Sequence, residues 1–229
     1  WDAKTKQLYG LNASGPAPKN ISIDYFKSKN LNKIPSYGPL PVTVPGAVDG
    51  WVQLHQRFGN QEFKALFKPT IDYAVNGFPI TETIAYYLEK SVDRFKDYPN
   101  FKDVWLKNGS TPTKGEIFKN PQLAKTLQLI ADNGRAGFYE GEVAHTMANF
   151  IQAEGGLLTY EDLSSFHAEW TPPVSSNYRG YDVWELPPNG QGIAALQILN
   201  ILEEFDLSKM GLFSSEYIHL FTEAKKIAF

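Results

Sequence analysis

Arg179-Gly180-Tyr181-Asp182-Val183-Trp184-Glu185-Leu186, then Pro187-Pro188-Asn189-Gly190-Gln191-Gly192, then Ile193-Ala194-Ala195-Leu196-Gln197-Ile198-Leu199-Asn200-Ile201-Leu202-Glu203-Glu204 changes its period along the way. The first segment alternates as a strand does, the second is stiffened by two prolines, and the third is helical, with Ile193, Leu196, Gln197 and Asn200 expected on one side. A strand feeding a helix through a short loop sets the expectation of an α/β fold. Within it lies Gly190-Gln191-Gly192-Ile193-Ala194-Ala195, a Gly-x-Gly-x-x-Ala where a dinucleotide pyrophosphate could rest on a helix N-terminus. The acidic strand end wanted about 20 residues further on is missing, because Glu203-Glu204-Phe205-Asp206 continues the helix and then leaves it. Close strand-to-helix packing is the competing role for these glycines.

Outward from this unit the chain is rich in helix. Trp1 to Leu11 alternates weakly and predicts a strand, followed by a rigid loop over Asn12-Ala13-Ser14-Gly15-Pro16-Ala17-Pro18. After the Pro/Gly cluster of 35–45, Trp51, Leu54, His55 and Phe58 share a helical face that Gly59 closes. Helices are predicted at about 61–76, 81–95 and 121–132, the last facing its core with Leu123, Leu127, Ile130 and Ala131. Phe138 to Ala153 predicts another, with Gly155-Gly156 as its left-handed stop. Thr159-Tyr160-Glu161-Asp162 has capping-box spacing, with Asp in the reciprocal place. A last helix starts at Ser214 and is still in pattern at Phe229, and the chain opens on Trp1 without a Met, so further residues are expected at both ends. No repeat, charge block or low-complexity linker divides 1–229, which reads as a single domain portion.

Composition narrows the partners. An apolar fraction of 42% with 14% aromatics is that of a packed protein. Lys+Arg 22 against Asp+Glu 25, net −3, supplies no basic field for nucleic acid or for an anionic membrane surface. No run approaches the ~20 apolar residues that span a bilayer. Without Cys there are neither disulfides nor thiolate metal sites. The sequons at Asn12, Asn20 and Asn108 matter only in a glycosylating route.

Chemistry is sparse in the chain itself. There is no Gly-x-Ser-x-Gly elbow, Walker loop or His-Glu-x-x-His, and the four His (His55, His145, His167, His219) lack ligand spacing, so no metal and no catalytic residue is assigned. The adjacent carboxylates Glu161/Asp162 and Glu203/Glu204 are read as solvated faces.

Several ordered segments carry a resemblance: Val44-Pro45-Gly46-Ala47-Val48-Asp49-Gly50-Trp51, Gly115-Glu116-Ile117-Phe118-Lys119-Asn120-Pro121-Gln122-Leu123-Ala124, Gly137-Phe138-Tyr139-Glu140-Gly141, Gly155-Gly156-Leu157-Leu158-Thr159-Tyr160-Glu161-Asp162-Leu163, Tyr178-Arg179-Gly180-Tyr181 and Leu186-Pro187-Pro188-Asn189-Gly190-Gln191-Gly192-Ile193. Together they resemble the large-subunit portion of the γ-glutamyltranspeptidase (glutathione hydrolase) family. The resemblance implies an N-terminal-nucleophile hydrolase with an αββα sandwich, of which this chain is the helix-rich part. It also implies self-cleavage into two subunits, an acyl-Thr intermediate and no cofactor. The nucleophile is then a Thr beyond Phe229, at the start of the small subunit, with its own α-amine as general base.

One family position falls on this chain. Where typical members read Asp-Gly-Arg-Glu-x-Ala-Pro, it has Asn12-Ala13-Ser14-Gly15-Pro16-Ala17-Pro18, which sets Ser14 against the arginine that clamps the donor's α-carboxylate. Replacing a bidentate guanidinium by one neutral hydroxyl typically removes about 2–5 kcal/mol, and acylase-like members depart from the pattern here too. The candidate substrate-binding residues are therefore Ser14 and Asn12. The expected partners are the small subunit of the same precursor and a small-molecule amide or peptide. Ser14 as a plain turn residue beside Gly15 is the alternative at that position. For the whole protein the alternatives are an acylase-like amidohydrolase for another acyl group and a non-catalytic binding homologue.

Overall fold

A computed structural model describes all residues from Trp1 to Phe229. In chain order the first half contains β1 (Gly10–Asn12), α1 (Ile23–Ser28), α2 (Ala47–Phe58), α3 (Phe63–Asn76), β2 (Phe78–Pro79), α4 (Glu82–Phe95), α5 (Phe101–Trp105) and β3 (Ile117–Phe118). The second half contains α6 (Pro121–Asn133), α7 (Ala136–Tyr139), α8 (Gly141–Ala153), α9 (Tyr160–Ser164), β4 (Glu169–Thr171), β5 (Val174–Tyr178), β6 (Tyr181–Glu185), α10 (Gly192–Glu203) and α11 (Ser215–Ala228). The architecture is mixed α/β with helix predominant, as expected.

The chain forms two compact units. The first is drawn from Trp1–Ala17, Thr43–Gly50 and Phe166–Phe229. Here β1 pairs antiparallel with β4 in the register Gly10↔Thr171, Leu11↔Trp170, Asn12↔Glu169. β5 and β6 form a hairpin from Val174↔Glu185 to Tyr178↔Tyr181, turned by Arg179 (φ 53) and Gly180 (φ 86), both left-handed as a two-residue turn between right-twisted strands requires. Helix α10 packs on this hairpin and α11 packs on α10. The buried residues of α10 are Ala194, Leu196 and Leu202, whereas Ile193, Gln197 and Asn200 are exposed. The expected stripe is thus rotated, because the helix is covered by both the hairpin and α11.

The second unit comprises Pro18–Val42 and Trp51–Ser165. Its centre is α3 against α6, with Phe67, Ala74, Leu127, Ile130 and Ala131 buried. Asn120 caps α6 by accepting the Leu123 amide, and Pro121 sits in the first turn, where its missing N–H costs nothing. Tyr139, Ala144, Leu158 and Leu163 are almost fully enclosed. β2 and β3 pair over only two residues, and Trp105 stacks on Phe118 with ring centroids 5.5 Å apart.

Two further expectations are corrected. The strand over Trp1 to Leu11 shrinks to Gly10–Asn12, which also takes Asn12 out of the expected loop. Ahead of it, Asp2 and Gln7 form a bridge across a tight turn in which the Asp2 carboxylate accepts the Lys4 amide at 2.9 Å and the Thr5 hydroxyl at 2.8 Å. A short acidic side chain bonding its own backbone competes with the extended form there. The helix over Phe138 to Ala153 breaks into α7 and α8 at Glu140, which is extended, and Gly141 (φ 65). Gly155 (φ 86) stops α8 as expected.

Candidate functional site

The turn at the end of β1 is built by side-chain amides. The Asn12 Oδ1 accepts the Ser14 amide at 3.0 Å, and the Asn12 Nδ2 donates to the Asn189 Oδ1 at 2.9 Å. The Ser14 N–H can only meet an acceptor, so it orients the Asn12 amide; the Nδ2 that faces Asn189 then requires an oxygen opposite. These two bonds join the Asn12–Ser14 turn to the Pro187–Gly192 loop. The two candidate binding residues therefore share one turn. The Ser14 side chain is exposed, and residues 12 to 17 contain no cation.

A strip of glycines holds this turn in place. A Cβ on Gly15 would run into the Val44 carbonyl, while the Val44 amide donates to the Pro16 carbonyl at 3.0 Å. A Cβ on Gly46 would overlap the Ala13 carbonyl and lie 2.8 Å from the Phe166 ring, and one on Gly50 would lie 2.7 Å from the Ala13 methyl. The Val44–Gly50 stretch is thus a floor on which the turn lies backbone to backbone. Beneath it Asp49, 1% exposed in the first turn of α2, accepts the buried Ala168 amide at 2.6 Å. A carboxylate is favoured at that helix end, and it secures the segment leading into β4.

Gly190 to Ala195 takes the packing role. A Cβ on Gly192 would be 2.7 Å from both the Cβ and the Oε2 of Glu185. The same carboxylate lies beside the first turn of α10, where a pyrophosphate would have to sit, and like charge excludes it.

Two of the four histidines are engaged elsewhere. The His55 Nε2 is 2.6 Å from the Gln61 carbonyl, and His145 stacks on Tyr160 with centroids 4.0 Å apart. No three His, Asp or Glu residues gather at one point. Glu161 is exposed and pairs with Lys19 at 3.0 Å, but the expected solvated face does not extend to Asp162, which is only 4% exposed. Its Oδ2 completes the capping box with the Thr159 amide (2.9 Å) and hydroxyl (2.7 Å), and its Oδ1 accepts the Lys19 amide at 3.0 Å. Burial alone would raise this carboxyl, but the Lys19 amide and the Thr159 hydroxyl and amide outweigh it and hold the group below its ordinary range. An apolar cavity of about 650 Å³ in the second unit, lined by Phe95, Tyr98, Phe101, Trp105 and Phe150, offers little titratable chemistry.

Asn189 and Asp49 were missed as participants. Both lie inside segments quoted for the resemblance, but nothing local signals a bond between residues 12 and 189.

Residues 1–229 match the family model described as Gamma-glutamyltranspeptidase. The chain is 38% identical over 227 residues to the glutathione hydrolase-like YwrD proenzyme of Bacillus subtilis (strain 168), covering 99% of this chain and 43% of that protein. Among solved structures, cephalosporin acylase from Bacillus halodurans superposes with a TM-score of 0.92 at 39% identity, over 100% of this chain and 43% of that one. The Helicobacter pylori gamma-glutamyltranspeptidase superposes with a TM-score of 0.89 at 34% identity, over 96% of this chain and 64% of that one. The chain thus spans less than half the length of the curated relative from Bacillus subtilis.

Proposed function

We infer that this chain, which belongs to the gamma-glutamyltranspeptidase family, supplies the acyl-recognition part of an amidase or acyltransferase that works through an acyl-Thr intermediate. The nucleophile is a Thr outside residues 1–229, at the start of a small subunit released by self-cleavage, in keeping with the proenzyme naming of the Bacillus subtilis relative. Its hydroxyl attacks the substrate amide carbonyl while its own α-amine takes the proton, the amine half leaves carrying that proton, and water or a second amine resolves the ester. No cofactor is called for. The short strands of the first unit are read as part of an αββα sandwich completed by the small subunit.

The observation that carries the substrate reading is the Asn12–Ser14 turn, whose amide donors bond Asn12 and Asn189 and which leaves the exposed Ser14 hydroxyl and no guanidinium. A γ-glutamyl donor brings an α-carboxylate and an α-ammonium to this position, and a lone hydroxyl compensates a desolvated carboxylate poorly. The preferred acyl group is accordingly one without that zwitterion, such as a glutaryl or other acylase-type side chain, in line with the similarity to cephalosporin acylase. The intact precursor assayed with γ-glutamyl and glutaryl anilides tests this. Self-cleavage with a higher kcat/KM on the glutaryl anilide is expected. Absence of both self-cleavage and turnover defeats the catalytic reading, and a γ-glutamyl preference defeats the substrate reading.

A further inference from the structure

The sequence contains four Asn-Gly pairs: Asn76-Gly77, Asn108-Gly109, Asn133-Gly134 and Asn189-Gly190. Glycine has no side chain to shield its amide nitrogen or restrict its rotation, so such pairs are where a backbone nitrogen can reach the preceding side-chain carbonyl. The structure separates the four. The Gly77 amide donates to the Tyr73 carbonyl and the Gly134 amide to the Ile130 carbonyl, both at 2.8 Å, as the closing bonds of α3 and α6. Gly77 is further packed against Ile117, and the Asn133 Nδ2 donates to the Leu129 carbonyl at 3.2 Å. Asn108-Gly109 is the tip of a two-residue turn clamped by reciprocal Lys107–Ser110 bonds of 2.8 and 3.1 Å, with both residues fixed at left-handed φ of 53 and 81. Reaching the attack geometry there means opening the turn.

Asn189-Gly190 has none of these restraints. Both residues are exposed, the Gly190 amide donates to no acceptor, and nothing lies within 4 Å of the position a Gly190 Cβ would take, as is also true of Asn108-Gly109, but no closed turn with left-handed φ at both residues holds this pair. The Asn189 side chain also differs from the other three in being primed. Its Oδ1 accepts the Asn12 Nδ2–H at 2.9 Å, which draws electron density from Cγ and stands ready to stabilise negative charge developing on that oxygen.

We propose that Asn189 is a self-modifying site that loses its side-chain amide by intramolecular attack, with Asn12 as the residue that polarises it. The Gly190 nitrogen forms a bond to Asn189 Cγ, the Cγ–Nδ2 bond breaks, and ammonia leaves with the proton from the Gly190 nitrogen. Water then opens the resulting five-membered imide at either carbonyl, giving aspartate or isoaspartate, and water is the only co-reactant. The product carries a carboxylate beside Asn12. Its effect on substrate choice rests on the acyl-binding reading above, whereas the modification itself does not and is read without any activity assay.

The whole protein is incubated at mildly alkaline pH and sampled over time. Peptide mass spectrometry follows amide-to-acid conversion, and an isoaspartate-specific methyltransferase reports the branched product. Conversion confined to the Asn189 peptide is expected, while the same protein in denaturant converts all four pairs. Gly190→Ala is expected to abolish the signal, and Asn12→Ala to slow it by up to about tenfold, the worth of one neutral hydrogen bond. Conversion at Asn76, Asn108 or Asn133 as fast as at Asn189 in the folded protein overturns the proposal. So does an unmodified Asn189 alongside a reactive denatured control. An Asn12→Ala rate equal to or above that of the wild type removes the polarising role.

Discussion

Replacing Asp162 by Ala removes the acceptor of three donors at once: the Lys19 amide at 3.0 Å, the Thr159 amide at 2.9 Å and the Thr159 hydroxyl at 2.7 Å. The residue is 4% exposed, so water cannot readily replace the lost oxygen atoms. Loss of the capping box alone costs about 1 kcal/mol. The stranded Lys19 amide and the rest of the carboxylate's charge-assisted bonding bring the total to about 3–5 kcal/mol. Asp162→Asn keeps one carbonyl acceptor and is expected to lose about half as much. The two variants also differ from the wild type in pH response. The carboxyl sits below its ordinary value of 3.8 in the folded protein, so the unfolded chain binds more protons at this site and stability rises with pH across that interval. The contribution is complete above about pH 5 and is lost as pH falls through the folded value. Denaturant unfolding of the whole protein across acidic pH reads both effects, and hydrogen exchange at Lys19 and Thr159 localises them. A loss below about 1 kcal/mol at neutral pH, or a gap between wild type and Asp162→Asn that does not narrow on acidification, refutes the reasoning.

Three further outcomes are expected. Gly46→Ala forces a methyl into the Ala13 carbonyl and towards the Phe166 ring, and should cost about 1–3 kcal/mol and loosen the Asn12–Ser14 turn, seen as a lower melting temperature and faster exchange of the Ser14 amide. If Ser14 occupies the donor-clamp position, as the proposed reading has it, Ser14→Arg should raise kcat/KM for a γ-glutamyl anilide by about tenfold while leaving the glutaryl anilide flat or reduced; an unchanged ratio would detach Ser14 from substrate choice. Gly192→Ala pushes α10 away from Glu185 and should destabilise by about 1–3 kcal/mol, and neither form should gain melting temperature from NAD.

The elements legible in the sequence are those whose causes are local. α6 follows from Asn120-Pro121 at its start and from the spacing of Leu127, Ile130 and Ala131, although Leu123, expected on the same face, is exposed, and α11 from the Ser214 cap, whose hydroxyl accepts the Tyr217 amide. The Thr159–Asp162 box was readable because its two halves are three residues apart, although Asp162's bond to the Lys19 amide, 143 positions away, was not. β2 and β3 are two residues each, too short for any alternation to register, and α1 and α5 span less than two turns. β4 alternates no better than its neighbours and exists because β1 lies beside it. Ser14 and Asn12 were singled out only through the family pattern. Their anchor, Asn189, lies 177 positions away, and no periodicity reports on such a distance.

That separation bears on how the molecule is made as well as on how it is read. Closing the Asn12–Asn189 contact joins residues 177 apart, against five for the Asn177–Asp182 contact of the β5–β6 hairpin. The difference is about five doublings of loop length, or roughly 3 kcal/mol of closure entropy. On a ribosome more than 150 further residues must be made after the Asn12–Ser14 turn before β4 arrives to pair with β1. The first unit is therefore completed late, because β1 gains its strand partner only after all of the second unit has been made.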